Sequence, residues 1–576
     1  MKYRLRLLTA LGCSLLSVFA MAPAAFAMPD DSNGASSTST TPETKTSNDD
    51  VAALKIVVAN QQKQLEELRR AIEEQKKMIE RLTPADSNSN HYAEAPNGST
   101  RIVGEVASTT PIIPGLRPSI GAPVVPANAQ PQSKEPESSP LQLKLGNVTI
   151  MPVGFADFTA VWRSTNSGAG IGSNFGSIPF LNTTTGHLSE FRQSQQNSRL
   201  GVRIDGDLLG THVLGYWESD FLGNPTSNNF TVTNHADLFR LRLYWVDLRR
   251  GKWELLGGQS WSMLTPNRSG ISPIPGDIFF SNNIDVNYQL GLVWSRTPGL
   301  RLVYHPNNSW AIGFAMEDPE ASIGGSGGGG AVTLPTGTGA TAISSLYASQ
   351  LDAGAAVLTV PNVMPDFESK IAYDYKKKFH WELAGVVREF KTYNINNNQH
   401  YYATGVGGEM NFNAELFPGF RLISNNYWSD GGGRYIFGLA PDLIVRGDGS
   451  LSPVHSGSMI QGFEATIKKT LLWAYYGGLY IGRTTAVDPK GNVLVGYGFT
   501  GSPNSQNRNI NEYTFGFNQT FWKDPKYGAI NFMGQYSYLT RNPWFVAVGQ
   551  PDDTHQNMLM FNLRYTLPGS APTIGK

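Results

Sequence analysis

The sequence predicts an all-β transmembrane barrel of about sixteen antiparallel strands, preceded by an α-helical coiled coil. First, segments such as SRLGVRIDGDLL (198–209) alternate apolar and charged residues with the period of a β-strand. Second, such segments are joined alternately by short turns and by long polar stretches. Third, the chain starts with the pattern of an export signal. Together these patterns are typical of bacterial outer-membrane barrels.

Residues 1–27 have the pattern of a secretory signal peptide. Lys2, Arg4 and Arg6 precede an apolar run that ends at the small-x-small site Ala25-Phe26-Ala27. The only cysteine, Cys13, lies within this segment, so the predicted mature chain has neither a disulfide nor a cysteine metal site. The 46 basic and 46 acidic residues balance, which predicts no nucleic-acid partner. No cofactor or metal is predicted, since the histidines lack metal-ligand spacing.

Residues 28–50 are rich in Ser, Thr, Asn and Asp and are predicted to be a flexible leader. Residues 51–82 then change to heptad spacing, which predicts a coiled coil and therefore a homo-oligomer. Its predicted seam residues are Val51, Leu54, Val58, Leu65, Leu68, Ile72, Ile79 and Leu82. Thr83-Pro84 ends the helix, and residues 83–147 form a predicted proline-rich linker. If the chain is an outer-membrane protein, we expect this coiled coil in the periplasm, where peptidoglycan would be nearby.

Residues 148–567 are predicted to form the barrel, and residues 568–576 a C-terminal tail. An even strand number places both ends of the barrel on the periplasmic side. Sixteen strands result if YQLGLVW (288–294) belongs to a long third loop, 262–294, and the next strand is SRTPGLRLVYH. Aromatic residues on the apolar phase, among them Trp245 and Trp473, predict girdles at the membrane interfaces. A secreted soluble β-sandwich fits these aromatic strands poorly, so the apolar faces are predicted to contact outer-membrane lipid.

The order of signal peptide, coiled coil, proline-rich linker and sixteen-strand barrel resembles the DcaP-like family of trimeric porins, named for dicarboxylate uptake. Local similarities are ESDFLGN (218–224), GGQSWSMLTP (257–266) and AMEDPE (315–320). The resemblance covers essentially the whole chain. It implies a homotrimer with a periplasmic coiled coil and three pores lined with basic residues that favour anions. The tail PGSAPTIGK departs from the usual ending of outer-membrane barrels on an aromatic residue.

The residues predicted to line the pore and select small anionic solutes are arginines, because guanidinium groups keep their charge and bind carboxylates in a two-point geometry. They are Arg199, Arg203, Arg240, Arg242, Arg268, Arg296 and Arg301. Facing acidic residues either create a transverse field or neutralise the arginines in salt bridges. They are Asp205, Asp207, Glu218 and Asp220.

The predicted function is a non-enzymatic porin for small hydrophilic solutes, favouring anions such as dicarboxylates. Two alternatives stay open. A structural trimer would use its coiled coil to tether the envelope. An outer-membrane hydrolase would need a Ser-His pair, for which His212, His305, His380 and His555 are candidates, although no nucleophile motif is present.

Overall fold

The computed structural model describes residues 141–223, 237–278, 281–325, 330–353, 360–376 and 378–568. The predicted signal peptide, leader and coiled coil, the linker up to residue 140, and the tail from residue 569 lie outside the described residues. Among the described residues, no helix is long and apolar enough to cross a membrane.

Sixteen antiparallel strands close into one barrel, as the sequence predicts. The second strand is interrupted, and both of its segments pair with the first. The last strand also pairs with the first, for example at Phe158 and Leu563, and so closes the sheet. The strands are β1 Val148–Arg163, β2 Glu190–Ser194 with Arg199–Leu208, β3 Thr211–Gly223, β4 Leu238–Arg250, β5 Trp253–Trp261, β6 Arg296–Asn307, β7 Trp310–Glu317, β8 Asp366–Tyr375, β9 Phe379–Asn394, β10 Gln399–Phe417, β11 Phe420–Asp430, β12 His455–Ile467, β13 Thr470–Ile481, β14 Asn507–Asp524, β15 Gly528–Pro543 and β16 Thr554–Thr566.

One edge of the barrel carries two- and three-residue turns, and the other carries the long loops. The turn at 209–210 shows why the tight edge forms, since Leu209 (φ 50°) and Gly210 (φ 76°) both adopt the positive φ that a two-residue hairpin turn requires. The loops are L1 164–189, L2 224–237, L3 262–295, L4 318–365, L5 395–398, L6 431–454, L7 482–506 and L8 544–553. L5 is short because β9 and β10, of 16 and 19 residues, extend the wall itself. The predicted third loop is confirmed, since β6 begins at Arg296.

The predicted strand SRLGVRIDGDLL shows which face of the barrel wall is apolar. Leu200 and Ile204 are 39% and 45% exposed on the outside of the barrel, whereas Arg199 and Arg203 are buried inside it. The apolar stripe therefore faces outward and the charges face the lumen, which is the pattern of a membrane barrel.

The lumen contains apolar residues as well as charged ones. Ile274 and Ile278 of L3 belong to one buried cluster with Leu214 and Leu256 on one wall and Ile460 on the opposite wall. L3 therefore crosses the lumen and narrows it. A second buried cluster joins residues of L1, L3, L4, L6 and L7 at the loop edge.

Two predicted girdle residues face the lumen instead. Trp245 is 1% exposed because a bulge between Arg242 and Leu243 shifts the alternation of β4 by one residue. Trp473 is 2% exposed because the inward face of β13 is itself apolar and packs in the cluster around L3. Trp310, Tyr513, Phe521 and Tyr536 are exposed on the outside, as predicted.

Candidate functional site

L3 is held inside the barrel by acidic side chains of the wall. Carboxylates on the wall strands accept hydrogen bonds from the backbone amides of L3. Buried backbone N–H groups need such partners, and a loop without regular structure does not provide them itself. The amides and their acceptors are Met263 and Glu317 (2.9 Å), Gly270 and Asp374 (2.8 Å), and Leu290 and Glu512 (2.9 Å). These acidic groups on β7, β8 and β14 are thus committed to holding the loop.

A buried ion pair adds to this attachment. Arg268 of L3 donates two hydrogen bonds to Glu464 of β12, at 2.8 and 3.0 Å. Burial alone would lower the pKa of Arg268, but the Glu464 carboxylate outweighs burial and raises it. The predicted pore residue Arg268 therefore stays charged and binds the loop to the wall.

The other side of L3 contacts a cluster of arginines. Tyr288 of L3, whose backbone is left-handed (φ 64°), places its phenolic oxygen near two guanidinium groups. Arg242 of β4 donates to this oxygen at 3.3 Å, and Arg199 of β2 donates at 3.5 Å. The loop therefore brings arginines of separate strands to one place.

Two acidic residues of β3 are paired within this cluster. Arg242 bonds Glu218 and Asp220, both at 2.7 Å, and Arg240 contacts Asp220 at 2.7 and 3.0 Å. Arg199 lies 3.7 Å from Glu218. The side chain of Arg240 remains 38% exposed, so it keeps contact with solvent. Of the two alternatives that the sequence leaves open for the facing acids, a transverse field or salt bridges, Glu218 and Asp220 form salt bridges.

Arg296 has a different environment. Its guanidinium lies 5.3 Å from the ring centroid of Trp261 and 5.8 Å from that of Trp294, in cation–π geometry. Among the described residues, no carboxylate lies within ion-pair distance of Arg296. The nearby charged groups that act on it include the cations Arg240 and Arg242 and the anion Asp220.

Sequence reasoning missed Arg564 and Tyr288. Arg564 of β16 bonds Asp157 at 2.6 and 2.8 Å and adds its charge to that of Arg199. Its inward position could have been found from the alternation of the last strand. In total, five guanidinium groups and three carboxylates gather here, which leaves two net positive charges. They are Arg199, Arg240, Arg242, Arg296 and Arg564 with Asp157, Glu218 and Asp220, and we call this set the arginine cluster.

The remaining predicted residues make other contacts. Arg203 pairs with Asp205 within β2. Arg301 donates to the backbone oxygen of Trp261 at 2.6 Å. Asp207 is 76% exposed near the tight-turn edge, 3.2 Å from His212.

The histidines considered for hydrolysis are tied to other groups. His305 lies 3.0 Å from Glu254, and His380 lies 3.0 Å from Asp374 and 3.2 Å from Glu382. His555 packs on Tyr538 with ring centroids 5.7 Å apart. Within the ranges that the structure covers, no group of three His, Asp or Glu side chains is arranged to hold a metal ion.

Comparisons with known proteins identify structures but no sequence family. No family model and no curated protein matches the chain. The outer membrane channel DcaP of Acinetobacter baumannii matches with a TM-score of 0.53 and 15% identity, covering 74% of this chain and 99% of that one. OmpT of Vibrio cholerae matches at 0.39 and 9%, covering 74% and 99%. OmpF of Salmonella typhi matches at 0.38 and 9%, covering 74% and 100%. The barrel of this chain therefore has a fold like that of the DcaP outer membrane channel.

Proposed function

We propose that this protein is a passive porin of the bacterial outer membrane for small hydrophilic solutes, with a preference for anions such as dicarboxylates. The observation that carries the proposal is the net positive arginine cluster beside the loop that narrows the lumen. Guanidinium groups in such a place attract anions and offer them paired hydrogen bonds.

The distribution of acidic groups supports the sign of the selectivity. Glu317, Asp374 and Glu512 accept hydrogen bonds from the L3 backbone, and Glu464 is neutralised by Arg268. These four acids are therefore engaged by L3 itself. Arg240 and Arg242 share one carboxylate, Asp220, and Arg296 contacts aromatic rings instead of an acid, so the cluster keeps a net positive charge.

We base the proposed location and the proposed trimer on the sequence patterns before residue 83 and on the outer surface of the barrel. Export by the signal peptide and an apolar outer surface fit the outer membrane. The heptad seam of residues 51–82 would join three copies in the periplasm, each with its own pore. The proposal is for a channel and not for an enzyme, because transport needs only the charged lumen.

Solute uptake into proteoliposomes tests the proposal. Vesicles containing the protein are placed in isosmotic succinate, in a neutral sugar of similar size, or in a diamine of similar length, and the swelling rate is recorded. The proposal expects swelling in the order succinate, sugar, diamine. Equal rates would remove the anion preference but keep the porin, and no swelling above protein-free vesicles would contradict the porin itself.

A further inference from the structure

A pair of arginines on the outside of the barrel, at its loop edge, stacks on one tryptophan. The guanidinium carbons of Arg483 in L7 and Arg508 in β14 lie 4.8 and 5.2 Å from the ring centroid of Trp544 in L8. The two charges are therefore no more than about 10 Å apart. Both arginines are exposed, and among the described residues neither has a carboxylate within ion-pair distance.

The tryptophan is held in a fixed position. Its indole N–H donates to the backbone oxygen of Ile481 at 2.9 Å, and its backbone N–H donates to that of Gln506 at 3.0 Å. Gly498 of L7, with φ at 75°, lies so close that a Cβ there would be 2.7 Å from the ring. The ring of Trp544 is thus fixed, and the two positively charged side chains are held in place by stacking on it.

The pair points away from the lumen. Asn507, the residue before Arg508, is fully buried and bonds Gly176 of L1 on the inside, and the bulge at residues 507–509 turns Arg508 outward. Trp544 also packs on Tyr480, whose neighbours Leu479 and Ile481 face inward. The two cations therefore do not belong to the arginine cluster of the pore.

The outward face of β14 shows the depth of this pair relative to the membrane. Going down the strand, Arg508 is followed by Tyr513 and then by Phe515 and Phe521, which are 44%, 56% and 59% exposed respectively. Tyr513 packs on Tyr476 of β13 with centroids 5.1 Å apart. Amphipathic rings mark the membrane interface. Five residues of strand span roughly 17 Å, or about 12 Å of depth at a tilt near 45°, so the backbone of Arg508 lies on the water side of Tyr513. Arginine side chains are long, and from this position they reach the lipid headgroups.

We propose that Arg483 and Arg508 on Trp544 bind the phosphorylated headgroup of an outer-leaflet lipid. Guanidinium groups bind phosphate oxygens in a two-point geometry, and cations at this height meet anionic headgroups. The proposal uses the membrane location proposed above but not the solute selectivity. It therefore stands or falls separately from the anion-selective pore.

The binding test uses the full-length protein in detergent and native mass spectrometry. The probe is bisphosphorylated lipid A, titrated against the wild type and R483Q/R508Q, and the control probe is lipid A with both phosphates removed. R446Q is the matched control variant, because it removes one charge from an exposed L6 arginine that bonds Ser452 at 3.1 Å. The proposal expects the double variant to bind lipid A about tenfold more weakly, and R446Q and wild type to bind it equally.

Further variants and a competition experiment distinguish lipid A from other ligands of the arginine pair. R483K/R508K keeps the charges but loses the planar fork, so it should bind with intermediate affinity. Unchanged binding of lipid A by R483Q/R508Q would overturn the proposal. Inorganic phosphate in excess is added to compete with bound lipid A. If it displaces lipid A as effectively as further lipid A does, the site would be assigned to free phosphate instead. Loss of oligomers in R483Q/R508Q without added lipid would show that the pair faces a second copy of the chain.

Discussion

Arg268 of L3 and Glu464 of β12 form a buried two-point ion pair that fixes the loop across the lumen. The Glu464 carboxylate also accepts hydrogen bonds from Asn282 of L3 at 2.7 Å and from Tyr475 of β13 at 2.9 Å. One acidic side chain therefore binds L3 at two points separated by fourteen positions in the chain. We therefore expect the width of the lumen to depend on this contact.

Glu464→Gln should release this part of L3. It leaves the Arg268 charge buried without its carboxylate, and breaking a buried pair in this way costs about 3–5 kcal/mol. We expect larger and noisier single-channel currents in planar bilayers. Glu415→Gln is the matched control, since Glu415 accepts a hydrogen bond from Gly419 at a tight turn and does not contact L3. Identical conductance of Glu464→Gln and the wild type would show that this pair does not set the width.

The junction of L4 and L6 should weaken as the pH rises. Glu320 faces Asp352 of L4 and Arg434 and Asp442 of L6, and burial followed by the Asp352 hydrogen bond raises its pKa to about 7. Burial raises the pKa of Asp442 as well. Since the folded junction holds these protons more tightly than an open one, its stability is full at acid pH and falls as the pH rises from about 4.5 to about 7.

Hydrogen exchange at the backbone amides of Ile323 and Asp352 measures this effect, because both bond across the base of L4 at 2.8 Å. After correction for intrinsic rates, protection should be lower at pH 8 than at pH 5. Glu320→Gln keeps a hydrogen-bond donor toward Asp352, so these two amides should stay better protected at pH 8 in the variant than in the wild type. Glu389→Gln, on the outward face of β9, is the control. A steeper loss of protection between pH 5 and pH 8 in Glu320→Gln than in the wild type would show that ionisation of Glu320 does not weaken the junction.

Gly516→Ala should destabilise the barrel. Gly516 of β14 pairs with Trp473 of β13, and a Cβ there would lie 2.3 Å from the indole ring. Forcing this large ring to move costs about 1–3 kcal/mol. The free energy of unfolding of the refolded protein in urea measures the loss. Gly215→Ala is the control, because its Cβ would meet Ile204 at an ordinary 3.6 Å, so equal losses in both variants would refute the packing argument.

Deletion of residues 51–82 tests the predicted coiled coil. If the seam joins the three copies, the shortened protein should dissociate to monomers at a lower temperature than the full chain, as measured by light scattering in detergent. The conductance of each barrel should stay the same, because the deleted segment is not part of the barrel wall. Unchanged trimer stability would mean that the barrels associate without it.

Strand number and the position of L3 could be predicted from the sequence, because alternation and turn residues are local signals and the parity rule needs only the count of strands. The inward phase of Arg199, Arg203 and Arg242 followed from the same alternation. Trp245 was misplaced because a bulge changes the phase of β4 without a sequence signal. Trp473 was misplaced because both faces of β13 are apolar.

The attachment of L3 could not be predicted, since it depends on contacts between residues far apart in the chain. Arg268 and Glu464 are separated by 196 positions, and Leu290 and Glu512 by 222. The association of L6 with L3, in which the Trp294 amide bonds the Tyr435 oxygen at 2.9 Å, is likewise set by the closed barrel. Local patterns identified the charged residues, while their partners followed only from the three-dimensional fold.

The central claim is an anion-selective pore controlled by the arginine cluster, and the reversal potential of single channels in a potassium chloride gradient tests it most directly. We expect chloride selectivity, with closure in three equal steps. Arg296→Gln should lower the anion-to-cation permeability ratio about fifteenfold, since one charge at ~5 Å is worth about 0.8 kcal/mol in water and acts with opposite sign on an anion and a cation. Arg250→Gln, which removes a charge from the outside of the barrel near a tight turn, should leave the ratio unchanged. A cation-selective wild type, or equal ratios in both variants, would contradict the account.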